Sequence, residues 1–147
     1  MARFVAAPLS TCDTERMSTV ALVGAVFVGF AALVHLYIFY YESIAWSKPK
    51  TWKTFGLRSQ SEADTVKPMA YNQGYYNGFL AIGVIIGLVL LTTNVAQAGY
   101  ALAIFAGSSM VLAATVLITS NAKLARAAVL QGAAPLIGVA LLIAALV

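Results

Sequence analysis

Four apolar runs, each about the length needed to cross a bilayer, take up most of this chain of 147 residues. They cover 20–41, 70–91, 99–119 and 127–147. For most of its length the chain therefore has lipid as its solvent, which restricts it to backbones that satisfy their own hydrogen bonds. Runs this long and without strict alternation are not transmembrane strands, so all four are expected to be helices. The expected fold class is all-α: a polytopic membrane protein built as a four-transmembrane-helix bundle. Hydrophobic residues make up 61% of the chain and charged residues 10%, against about 25% charged in a soluble domain. No room is left for a soluble catalytic domain.

The charges are placed unevenly. Lys48, Lys50, Lys53, Arg58 and Lys67 fall between the first and second spans, and Lys123 and Arg126 between the third and fourth. Only Arg3 and Arg16 lie on the other side, offset by Asp13 and Glu15. The positive-inside rule then puts loops 42–69 and 120–126 in the cytoplasm and both termini outside. Cations that flank spans in this way do not form a nucleic-acid-binding face, so nucleic acid is excluded as a partner. Membrane lipids are expected, and a homo-oligomer or a larger membrane complex stays open. The loop from Trp46 to Leu57 alternates aromatic residues with lysines, a pattern that suits the headgroup level and anionic lipid. It reads as an interfacial anchor, or as a lid over a pocket.

Met17 directly precedes the first span, with Ser18 or Thr19 as its cap. Residues 1–16 are therefore read as a dispensable tail and 17–147 as a single domain, with Met17 an alternative start. Cys12, the one cysteine, cannot form an internal disulfide or a cysteine metal site. Small residues four apart mark helix contacts in lipid. They occur at Ala21, Ala25 and Gly29; at Gly74 with Gly78 and Gly83 with Gly87; at Gly99, Ala103 and Gly107; and at Ala128 with Gly132. Pro135 is expected to kink the last span.

The few polar residues inside the spans share a depth. Glu42 lies near the basic end of the first helix, and His35 about 10 Å deeper on nearly the same face. Asn72, Gln73, Tyr76 and Asn77 occupy the first two turns of the second helix, and Gln131 begins the fourth at a similar level. Thr115, Thr119 and Asn121 approach the same layer from the third. Hydrogen-bonding side chains are costly in hydrocarbon unless partnered, so these are expected to face one another, and an ionisable residue at that depth suggests function. The candidate ligand-binding set is His35, Glu42, Trp46, Asn72, Gln73, Tyr76, Asn77 and Gln131, with His35 and Glu42 as the candidate ionisable pair for any chemistry. No metal is expected, because one histidine beside one carboxylate does not make a site. No cofactor motif is present.

The segment His35-Leu36-Tyr37-Ile38 followed by Glu42 and Trp46, then Phe55-Gly56-Leu57, Asn72-Gln73-Gly74-Tyr75-Tyr76-Asn77-Gly78-Phe79-Leu80-Ala81 and Gln131-Gly132-Ala133-Ala134-Pro135, resembles a known group. It consists of small bacterial integral membrane proteins catalogued as a domain of unknown function, some loosely labelled epimerases. The resemblance runs from about Met17 to the end. It implies a four-helix bundle in the bacterial inner membrane and assigns no activity. Four functions remain from the residues: a pocket for a lipid-like or amphipathic ligand, an accessory subunit of a larger complex, a proton-transferring isomerase or epimerase acting on a membrane-soluble substrate, and transport, which the apolar outer half opposes in a monomer but not in an oligomer.

Overall fold

Residues 17–147 are described by the computed structural model; the tail 1–16, with Cys12, lies outside them. Helix α1 (Thr19–Phe39) is capped by Ser18, whose Oγ accepts from the Ala21 amide at 3.2 Å. A π-helical turn (Tyr40–Ile44) continues it, closed by the Ala45 amide donating back five residues to Tyr40 at 2.8 Å. A short helix α2 (Pro49–Thr54) follows, then α3 (Gln60–Leu90), α4 (Ala96–Ser120), a 3-10 turn (Ala122–Leu124) and α5 (Ala125–Ala144). Among the described residues there is no strand. Four of these helical stretches are long and apolar enough to cross a membrane, so the fold is that of a multi-pass, all-α membrane protein.

The four long helices form a ring in which α1 packs on α3 and α5, and α4 closes the other side against the same two. α1 and α4 face each other across the diagonal and barely touch. Chain neighbours α3–α4 and α4–α5 are joined by short turns, which enforces antiparallel packing. In the α3–α4 turn the hydroxyls of Thr92 and Thr93 donate to the Val89 and Leu90 carbonyls, each at 2.8 Å, supplying donors that the end of α3 lacks.

Inside and outside differ in side-chain size more than in polarity. On α1 the buried stripe is Ala21, Gly24, Val28, Ala31, Ala32 and His35, while Leu22, Val26, Phe30 and Leu33 lie on the surface. Lipid and core are equally apolar, so close backbone approach rather than hydropathy decides which face turns inward. A Cβ on Gly138 of α5 would come within 2.8 Å of the Val28 amide and 2.9 Å of the Gly24 carbonyl. A Cβ on Gly87 would come within 2.7 Å of the Ala103 amide. The expected contacts at Gly74, Gly78, Gly99, Ala103, Gly107, Ala128 and Gly132 are buried positions. On α1 the close contact falls on Gly24 instead of on the expected Ala25 and Gly29, which are only half-buried.

Helix α3 begins at Gln60, ten residues before the expected span. The Ser59-Gln60-Ser61-Glu62 box explains this: Ser59 Oγ accepts from the Glu62 amide at 3.2 Å, and Glu62 Oε2 accepts from the Arg58 amide at 2.8 Å. At 31 residues α3 is about 46 Å long, well beyond a hydrocarbon layer of about 30 Å. Its first turns carry a collar in which Trp46, Trp52, Ala63 and Ala70 form a second small core, with Leu57 and Val66 against it. α5 passes through the buried Pro135 as one continuous helix.

Candidate functional site

The π turn is where α1 and α3 meet at the basic end of the bundle. An α-helix would place Glu42 directly below His35, two turns on. The extra residue taken up by the wider turn rotates the segment, and Glu42 meets α3 instead. Asn77 Nδ2 donates to Glu42 Oε2 at 3.1 Å and to the Gln73 carbonyl at 3.0 Å. Ser43 Oγ donates to the Tyr71 carbonyl at 3.0 Å. Gly74 makes this approach feasible: a Cβ there would strike Ser43 Oγ and lie 3.0 Å from Glu42 Cβ. One turn deeper, Phe39 covers Gly78 and sets its ring edge-on to Tyr75 at 5.3 Å.

Three helices supply polar groups on inward stripes here. Asn77 is half-buried and shares its stripe with the buried Gly74, Ala81 and Val84. His35, 1% exposed, ends the buried stripe of α1. Gln131 is half-buried and lies on the α5 stripe that includes the buried Ala128, Pro135 and Gly138. His35 Nδ1 is 2.9 Å from the Ala31 carbonyl. A carbonyl only accepts, so in the neutral ring the proton is on Nδ1 and Nε2 is an acceptor. Both amide hydrogens of Asn77 are committed, leaving Oδ1 as an acceptor. With the Glu42 carboxylate, these are the acceptors that the inward stripes of α1 and α3 carry toward this end of the bundle.

The other expected members lie elsewhere. Gln73 contributes its carbonyl to Asn77, and its side chain is exposed. Asn72 and Tyr76 share an exposed stripe that turns away from α1; Tyr76 lines an apolar surface groove with Phe79, Leu102 and Phe105 between α3 and α4. Trp46 belongs to the collar: its Nε1 donates to the Ala63 carbonyl at 2.9 Å, and its ring lies 5.3 Å from that of Phe55. Thr115 and Thr119 are on the surface, where their hydroxyls bond carbonyls of their own helix. Asn121 accepts from the Lys123 amide and organises the 3-10 turn. α4 thus brings none of these three side chains to the inward cluster.

Sequence reading did not anticipate the π turn or the part played by Ser43. The pairing of Gly74 with a polar residue three positions on was visible, but nothing in the order of residues announces where a helix widens. Among the described residues no group of three or more His, Cys, Asp or Glu comes together as a metal site would require.

The model of a family described as "Protein of unknown function (DUF1304)" matches residues 29–143, a stretch that holds the π turn, the collar and all four long helices in whole or part. The chain belongs to that family. No curated protein matches it, and no solved structure does.

Proposed function

We propose that this member of an uncharacterised family is a protein of the bacterial inner membrane that binds a lipid-like or small amphipathic molecule by its polar head. The site is the basic end of the bundle, between the π turn, α3 and the start of α5. The observation that carries the reading is the bond from Asn77 to Glu42 across α1 and α3. A carboxylate at the edge of a hydrocarbon layer is held by an amide on one oxygen, and its second oxygen remains for a ligand. π turns recur at functional sites because the extra residue re-aims side chains at the cost of helix regularity. His35 Nε2 and Asn77 Oδ1 extend the acceptor set, so hydroxyl or ammonium heads fit better than anionic ones. Gln131 supplies an orienting amide. The Lys/Arg asymmetry supports a cytoplasmic position for this end.

An accessory-subunit role would put small or aromatic residues on the lipid face. The close-packing Gly24, Gly87, Gly99 and Gly138 meet neighbours within the bundle, which supports the binding reading; the exposed Phe30, Tyr37, Phe79 and Phe105 support the accessory-subunit one. Proton transfer between His35 and Glu42 would need a substrate between them, and no activity is assigned.

Mass spectrometry of small amphiphiles co-purifying with the intact protein tests the reading. The wild-type protein is expected to retain a defined species that Asn77→Ala and His35→Ala lose while remaining folded. Retention of the same species at the same level by both variants would rule the site out.

A further inference from the structure

A second feature, separate from the Glu42 cluster, lies on the outer surface of the α4–α5 hairpin. It is a groove of about 250 Å³ floored by Ala114 and Gly132 and walled by Val111, Ile118, Val129 and Leu136. The floor is low for a structural reason: a Cβ on Gly132 would come within 2.6 Å of Ala114 Cβ, so the two helices touch along small residues while large ones stand up on either side. On α5 the groove-lining residues Val129, Ala133 and Leu136 continue a stripe that begins at Arg126, three, seven and ten residues earlier. Below Arg126 the groove therefore has about 15 Å of apolar wall.

Its basic end carries two cations on the α4–α5 turn and the first turn of α5. Lys123 and Arg126 are both exposed, and no Asp or Glu occurs after Asp64. The amino end of α5, which has no side-chain cap, adds the positive end of a helix dipole. Cations at the headgroup level above an apolar trough at acyl-chain depth match an anionic amphiphile in both parts. A second copy of the chain fits poorly. A twofold contact through this face brings Lys123 and Arg126 near their own images, and like charges repel.

We propose that the α4–α5 groove seats an anionic phospholipid, its phosphate on Lys123 and Arg126 and one acyl chain along the trough. Basic pockets between helix ends on one side of a membrane take such headgroups because each cation adds attraction within a Debye length of the surface. This inference does not depend on the Glu42 site.

Native mass spectrometry of the full chain in detergent, titrated with phosphatidylglycerol or phosphatidylcholine, tests it. The wild-type protein should hold phosphatidylglycerol in preference. The double variant Lys123→Gln/Arg126→Gln should bind phosphatidylglycerol about thirtyfold more weakly, the worth of two interfacial cations, with phosphatidylcholine unchanged. Ala133→Leu fills the trough from an exposed position and should weaken both lipids. Lys50→Gln/Lys53→Gln, on the collar, removes two headgroup-level cations outside the groove and should weaken phosphatidylglycerol less than the first double variant does. Undiminished phosphatidylglycerol binding by the first double variant or by Ala133→Leu would overturn the proposal, as would a larger loss from the collar variant.

Discussion

Asn77 and Glu42, 35 positions apart in the chain, are joined by a hydrogen bond of 3.1 Å from the Asn77 amide to the Glu42 carboxylate. The bond ties the π turn at the end of α1 to the second turn of the membrane-embedded part of α3. Removing the donor leaves a half-buried carboxylate without its amide partner, which costs about 1–3 kcal/mol. Asn77→Ala is therefore expected to lower the thermal midpoint in detergent. Asn77→Asp, which sets a second carboxylate against the first, should lower it further at neutral pH. Glu42→Gln keeps an acceptor in place and should cost less than either. An Asn77→Ala protein as stable as the wild type would mean that the bond does not hold the helices together.

The glycines divide into two classes. At Gly138 a Cβ would meet backbone atoms of α1, which can yield only if the helices separate. At Gly29 the nearest atom is the flexible end of Leu88, at 3.4 Å. Gly138→Ala should destabilise the bundle by about 1–3 kcal/mol, in the range of an overpacked core. Gly29→Ala should be near neutral. Gly74→Ala belongs with Gly138, because it would push Ser43 and Glu42 off α3, and it should also disturb any ligand held at the π turn. Thermal unfolding of the three variants side by side checks the ordering.

Trp46 and Trp52 share the collar but differ in hydrogen bonding. The Trp46 N–H has the Ala63 carbonyl as partner at 2.9 Å. The Trp52 N–H is buried without an acceptor. Trp46→Phe removes this bond, while the Ala63 carbonyl keeps its partner within α3, and should cost about 1 kcal/mol. Trp52→Phe removes an unsatisfied donor while keeping most of the aromatic contact, and should be neutral or stabilising. The measurement is limited proteolysis of the 46–59 segment, with Trp46→Phe cut faster than wild type and Trp52→Phe no faster.

Orientation is testable in cells. With the one native cysteine replaced by Cys12→Ser, a cysteine at Ser61 should resist membrane-impermeant thiol reagents and react after permeabilisation. Ser61 is exposed on the first turn of α3, and unlike Ser59 it does not cap the helix. Labelling in intact cells would invert the topology and move the Glu42 site to the outer leaflet.

The order of residues was enough to establish four helical spans, because apolar runs of that length have no other way to satisfy a backbone in lipid. It also grouped His35, Glu42, Asn77 and Gln131 by depth, since depth follows from counting residues along a helix of known rise. A start signal was legible at Ser18, whereas apolarity alone put the start of α3 near Ala70 and missed the Ser59–Glu62 box that lengthens it. Facing was a different matter. In a soluble helix hydropathy tells the inner face from the outer one, but here Leu33 toward lipid and Val28 toward the core are equally apolar. Periodicity therefore could not separate Gly24 from Ala25, or Asn77 from Asn72. Trp46 and Tyr76 looked like neighbours of Glu42 by depth alone, yet the collar claims one and the α3–α4 surface the other. Only the tertiary structure decided these placements. The rotation of each helix is set by which small residues allow two backbones to meet, and the rotation of Glu42 by a widened turn that Gly74 has room to receive.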